Sequence, residues 1–262
     1  MSTWKLEYTG KTPSLRNPIL IEGLPGIGNV GKIALDFIID ELGAKKIAEF
    51  QSYAFPHSVF VNEDNLVELP SIEVYAKQSK NGNDLLLLAG DVQPLDEQSC
   101  YQFSDVVLDM AQAFDCSEIV TLGGIALKQL PNKPKVFVTG NHKDIVKDYQ
   151  RETKISNKLY GVVGPIVGVS GVLLGLAAKR RIKAVSLLAE TYGHPMYLGI
   201  AGAREILKVL NTKLHLKMKM KQLETEMTAL EQELAQRPEF APNYAHRSLA
   251  KLRKGKDTNY IG

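Results

Sequence analysis

The chain has 262 residues, 44% of them hydrophobic and 23% charged, with a net charge of +3. That length buries one sizeable core without requiring a second domain, and so small a positive excess leaves no electrostatic footprint for nucleic acid. Two cysteines, Cys100 and Cys116, make neither a disulfide framework nor a metal cluster and read as reduced, packed thiols.

Residues 19–22 read as the first strand, and a glycine-rich turn, Gly23-Leu24-Pro25-Gly26-Ile27-Gly28-Asn29-Val30-Gly31-Lys32, leads into a helix over 30–41. Such a turn is where α/β proteins offer free N–H groups to anions. Gly26, Gly28 and Gly31 fit G-x-G-x-x-G, but the acidic residue expected about 20 positions on has one candidate, Glu49, inside an apolar run. Gly26, Gly31 and Lys32 also follow the phosphate-loop pattern until Ile33, which stands where a hydroxyl would ligate Mg²⁺. Two readings follow. In the first, the glycines serve turn geometry and close packing and no cofactor is needed. In the alternative, Gly26, Gly28, Asn29, Gly31 and Lys32 cradle the phosphate of a nucleotide- or phosphate-binding enzyme.

Further strands are expected over 46–51, 58–61, 66–69, 72–77, 85–89, 118–122, 135–139 and 184–189, with a hairpin turn at Asn62-Glu63-Asp64-Asn65. The nearly continuous apolar runs at 85–88 and 185–188 suit strands covered on both faces. Helices are expected over 99–114, 169–179 and 195–235. The fold class is therefore α/β, a mixed sheet flanked by helices, with a long C-terminal helical extension. Gly90-Asp91, Gly123-Gly124, Gly140-Asn141 and the segment Thr191 to Pro195 follow strands and are candidates, with the first glycine turn, for one rim of the sheet. No serine, cysteine or carboxylate stands at catalytic spacing from His57 or His194, so no catalytic residue and no metal site is assigned. The longest apolar stretch, 161–178, is broken by Pro165 and five glycines, so no membrane span is expected, and the chain reads as cytoplasmic.

In the C-terminal part, Ile206, Val209, Lys213, Leu216, Met220, Leu223, Met227, Leu230 and Leu234 follow a heptad seam. A single helix over 203–236 would extend roughly 50 Å, more than one domain covers. Leu216, Met220, Leu223, Met227, Leu230 and Leu234 are therefore the expected oligomerisation residues. Lys217 and Lys219 at one end and Glu231 and Glu233 at the other favour an antiparallel pair, within a hairpin or between subunits. Pro238 ends the helix. Residues 237–262 form a basic tail with six Lys/Arg against Glu239 and Asp257, read as solvated. The expected organisation is an α/β core over 1–205, an amphipathic helix over 206–236 and the tail over 237–262.

Five segments in series carry a resemblance. They are Ile21 to Gly31, Leu87-Leu88-Ala89-Gly90-Asp91-Val92-Gln93-Pro94, Thr121-Leu122-Gly123-Gly124, Gly161 to Gly175, and Glu190-Thr191-Tyr192-Gly193-His194-Pro195. Together they resemble the archaeal proteasome-assembly-chaperone-like family, relatives of the eukaryotic proteasome assembly chaperone two, over about residues 15–210. The resemblance implies a nucleoside-phosphorylase-like α/β fold without catalysis, a homo-oligomer, and the α-ring of the proteasome core particle as partner. In this family some members engage the core particle through C-terminal tails. Here that points to Tyr260, Ile261 and Gly262, where Ile261 stands in the position that tyrosine holds in proteasome activators.

Overall fold

The structure is a computed structural model and describes residues 3–236 except 63, 81, 154, 160, 162 and 163, with side chains as far as residue 232. In chain order the elements are β1 (Lys5–Tyr8), β2 (Ile19–Gly23), α1 (Val30–Leu42), β3 (Lys45–Gln51), β4 (Phe60–Val61), β5 (Val67–Glu68), β6 (Ile72–Lys77) and β7 (Leu85–Gly90). There follow α2 (Glu97–Ala113), β8 (Glu118–Leu127), β9 (Val136–Gly140), α3 (Lys143–Thr153), α4 (Val169–Lys179), β10 (Ala184–Tyr192), α5 (Ile200–Lys213) and α6 (Met220–Gln236).

Eight strands form one mixed sheet in the order β1-β3-β6-β7-β2-β8-β10-β9. Its centre, β7-β2-β8-β10, is parallel, and the strands outside it pair antiparallel. The parallel strands β2 and β7 are buried at every residue, as their unbroken apolar sequences require. Alternate side chains feed two cores. Ile19, Ile21, Val120, Leu122 and Leu187 meet α1, α3, α5 and α6 on one face, while Leu20, Leu86, Leu88 and Ile119 meet α2 and α4 on the other. The expected mixed sheet between helices is what is observed. β1 and α3 were not anticipated. β1 is an edge strand anchored by the buried Trp4, whose Nε1–H donates to Ser99 Oγ at 2.9 Å.

The single helix expected over 195–235 is two helices. α5 stops at Leu214, and His215 and Lys217 take φ of 50° and 57°, so the chain reverses direction. Tertiary contacts hold the reversal: Met218 is buried, its N–H donates to Asn211 Oδ1 at 2.9 Å, and the Lys219 N–H donates to Glu41 Oε1 at 3.3 Å. α6 then runs back along α5, with Lys208 at 3.1 Å from Glu224 and Arg204 at 3.9 Å from Glu231. The antiparallel contact thus lies within a helical hairpin of one chain, made by Arg204 and Lys208 rather than Lys217 and Lys219. Leu223 and Met227 are 2% and 0% exposed in the same apolar cluster as Ile206 and Leu210, and Leu216, Met220 and Leu230 pack partly against it. This corrects the expectation that one subunit leaves the seam bare. Leu234 lies outside the described side chains, and the expected division between residues 205 and 206 falls inside α5.

Candidate functional site

The glycine turn joins β2 to α1 through one 3-10 turn, Ile27–Asn29. Gly28 has a φ of +61°, and a Cβ there would sit 2.8 Å from Thr191 Oγ1. A Cβ at Gly31 would collide with the Leu122 carbonyl oxygen. Both glycines therefore let the turn lie directly on β8 and β10. Lys32, the one cation of the proposed cradle, is 1% exposed, and its Nζ lies 3.0 Å from Asp36 Oδ2 one turn along the same helix. The alternative cradle is therefore left with Gly26, Gly28, Asn29 and Gly31, without the Lys32 ammonium.

The other side of the same strand end is open. A cleft of about 470 Å³ lies at the carboxyl ends of β2 and β8, roofed by residues 164–168 and the start of α4. Leu24, Ile27, Leu122, Ile125, Ile166 and Leu188 supply its apolar wall. Glu22 is the single ionisable residue among the described residues lining it, and it is fully buried. Its Oε1 accepts from the Leu24 N–H at 2.9 Å and its Oε2 from the Ser170 hydroxyl at 2.8 Å. Burial pushes the Glu22 carboxyl up from 4.5 to about 7, against the two hydrogen bonds, which favour the charged form. Gln93 closes one edge. Its Nε2 donates to the Pro25 carbonyl at 2.7 Å, and its Oε1 accepts from the Val169 N–H at 3.2 Å, serving the first turn of α4 where Gly168 offers no cap. Glu22, Thr121 and Ser186 stand in register across β2, β8 and β10, and the Thr121 and Ser186 hydroxyls are buried without a partner among the described residues.

Of the expected rim, the turn after β2 and Gly123-Gly124 come together at this cleft, joined by Gln93, while Gly90-Asp91 is not among its lining residues and Thr191 lies against Gly28. Gly140-Asn141 does not. β9 runs antiparallel to β10, so Asn141 sits at the opposite edge, where its Oδ1 accepts from the Ala184 N–H at 2.9 Å. His57 and His194 are exposed and neither lines the cleft, and His194 stacks on Tyr192 at 5.8 Å. Sequence reasoning gave Glu22 and Ser170 no role. The legible signal was an acid closing an otherwise apolar strand.

A second surface stands apart. β4 and β5 form a two-stranded sheet of their own, joined by an Asn62 side chain that accepts from the Asp64 and Leu66 N–H groups. Around it Leu66, Val67 and Leu69 are 62%, 68% and 77% exposed, and Tyr53 and Val59 are exposed too. Tyr260, Ile261 and Gly262 lie outside the described residues. Among the described residues no helix is long and apolar enough to cross a membrane.

The PAC2 family model matches residues 20–237. The uncharacterized protein MJ1210 of Methanocaldococcus jannaschii is 28% identical over 248 residues, covering 95% of this chain and 93% of that protein. The crystal structure of Pyrococcus furiosus PbaB, described as an archaeal proteasome activator, superposes with a TM-score of 0.79 at 30% identity, covering 90% of this chain and 99% of that one. P. furiosus PbaA, described as an archaeal homolog of proteasome-assembly chaperone, shares the fold with a TM-score of 0.72 at 24% identity, covering 93% of this chain and 100% of that one.

Proposed function

The chain belongs to the PAC2 family, and from that premise we propose that it is a non-enzymatic, chaperone-like homo-oligomer that acts on the proteasome core particle in the cytoplasm, in its assembly or activation. The observation that carries this reading is the near full-length likeness to PbaB at 30% identity. The packing of the glycine turn supports a role without nucleotide, since Lys32 is committed to Asp36.

Residues 237–262 are the element proposed to reach the α-ring. Tyr260 and Ile261 are apolar groups for a pocket, the Gly262 carboxylate is a partner for a lysine, and Lys251, Arg253, Lys254 and Lys256 suit an acidic surface. Several tails in one oligomer would act together, raising avidity by about 100-fold or more over one tail. Pull-down of purified core particle by the full chain, by a chain ending at Arg237 and by one lacking residues 260–262 tests this. Capture by the full chain and by neither truncation is expected. Equal capture by all three removes the tail from the reading, and capture by none removes the proteasome.

With Leu223 and Met227 used inside the chain, the surface proposed for self-association moves to the β4–β5 arm. A lone two-stranded hairpin is marginal in water, and an exposed apolar edge invites a second strand. The second copy's arm is the proposed occupant, since it brings the same exposed apolar residues, Leu66, Val67 and Leu69. Replacing Leu66 and Val67 by lysine should lower the mass seen by light scattering without moving the melting temperature. An unchanged mass would place the subunit contact elsewhere.

A further inference from the structure

The cleft at the carboxyl ends of β2 and β8 has no part in the proposed contact with the proteasome, yet it is built as a ligand site. Its volume falls within the roughly 300–1,000 Å³ of small-molecule pockets. It also occupies the edge of a parallel sheet where α/β proteins place ligands. Its lining residues are apolar except for Glu22, whose side chain lies directly behind the surface, Ser170, Gln93 and strand-end backbone.

Among the described lining residues there is no lysine, arginine or histidine, and Glu22 makes no ion pair with a described residue. A fully buried carboxylate served by two hydrogen bonds and no cation is an incomplete arrangement, because buried charges are otherwise paired. The contrast is with Lys32, ten residues on and equally buried, which this fold pairs with Asp36. We propose that the cleft binds a small organic monocation, a primary amine carried on a compact apolar body, with the ammonium set against Glu22 and the body against Leu24, Ile125, Ile166 and Leu188.

The groups facing Glu22 do not compete for that role. From α4 comes Ser170, which donates to it, and from α2 the Cys100 thiol, held up by burial and then by the charges of Glu22 and Asp96. β7 and β8 present Leu88 and Thr121 in register with it. An ammonium in the cleft would draw the proton off Glu22, so binding is expected to strengthen as the carboxyl ionises.

The test is calorimetric titration of the full chain with cyclohexylamine and benzylamine. Cyclohexanol and benzyl alcohol serve as neutral probes of the same shape, and cyclohexanecarboxylate as the anion. At pH 8.5 the amines should saturate one site per chain, the alcohols should bind at least about tenfold more weakly, and the anion should not bind. Taking the pH to 5.5 should weaken the amines about thirtyfold as Glu22 takes up its proton. Glu22→Gln should abolish the preference for amine over alcohol. Ala126→Trp should fill the exposed mouth without touching Glu22 and abolish binding at an unchanged melting temperature, which keeps the test decisive even where Glu22→Gln does not fold. Alcohols binding as tightly as amines, amines binding Ala126→Trp unchanged, or no probe saturating would each overturn the proposal. None of these outcomes depends on core-particle capture.

Discussion

Glu22 and Lys32 flank the same strand end, both buried, and the fold treats them oppositely. Lys32 belongs to α1 on one face of the sheet and holds its countercharge, Asp36, on its own helix at 3.0 Å. Glu22 faces α4 on the other side and has hydrogen bonds from Leu24 and Ser170 but no cation among the described residues. On the Lys32 side the glycine turn is pressed onto β8, and on the Glu22 side the space stays open. The glycines that resemble a phosphate loop are spent on packing, and the proposed amine contact lies with the acid immediately before them.

Disrupting the closed side should cost the most stability. Lys32→Ala leaves Asp36 buried without this cation, and losing one partner of a buried pair costs about 3–5 kcal/mol. Replacing both, Lys32→Met with Asp36→Leu, should return most of that stability, because a buried pair exchanged for apolar groups of similar volume is nearly neutral or better. Urea denaturation of the two variants measures it. A loss within about 0.5 kcal/mol for Lys32→Ala, the size expected of a surface change, would mean that Lys32 is not buried as described.

On the open side the sign reverses. The Glu22 carboxyl is raised in the fold from 4.5 to about 7, so between those values the native chain holds a proton that the unfolded chain has released. Stability from this group is therefore present below pH 4.5, declines as pH rises, and is gone above pH 7. The difference is on the order of 3 kcal/mol. Glu22→Gln keeps an acceptor for Leu24 and a polar partner for Ser170 while removing the charge. Its stability relative to the parent chain should rise by about 3 kcal/mol between pH 4.5 and pH 8. A pH-independent difference would show that Glu22 is ionised throughout and solvated.

The closed side was partly legible in the sequence and the open side was not. Continuous apolar runs announced β2 and β7, and α4 matches the helix expected over 169–179. The glycines marked a turn, but whether a turn of this kind packs or binds depends on what Leu122 and Thr191 do about 90 and 160 residues later. Glu22 gains its partner from Ser170, 148 residues away, and its burial from a helix that no local pattern ties to it. α3 was missed because only Ile145 and Tyr149 of its eleven residues are buried, a stripe too thin to stand out from a polar segment. The break between α5 and α6 contains neither glycine nor proline. It is imposed by burial of Met218 and by the acceptor of Asn211, so a heptad read across it counted one chain's core as a subunit interface.

Ser170 separates the two sides by the charge state of its partner. If the Ser170 hydroxyl serves the ionised Glu22, Ser170→Ala should cost most where that carboxylate is charged. A hydrogen bond to a charged group is worth about 1.5–3 kcal/mol and one between neutral groups about 1 kcal/mol. The loss should therefore be near the upper figure at pH 8.5 and near the lower at pH 4.5. The variant should also push the Glu22 carboxyl further up, since the Ser170 bond is one of the two interactions that lower it. In the Glu22→Gln background both consequences should vanish, leaving a pH-independent cost of about 1 kcal/mol, so a double-mutant cycle at the two pH values isolates the coupling. The closed side supplies the control. The same cycle between Lys32 and Ser170 should be additive within about 0.5 kcal/mol, as for sites with no shared partner, because the two groups lie on opposite faces of the sheet. Equal cost of Ser170→Ala at both pH values, with no coupling to Glu22, would make the hydroxyl a bystander and leave Leu24 as the sole group holding the carboxylate.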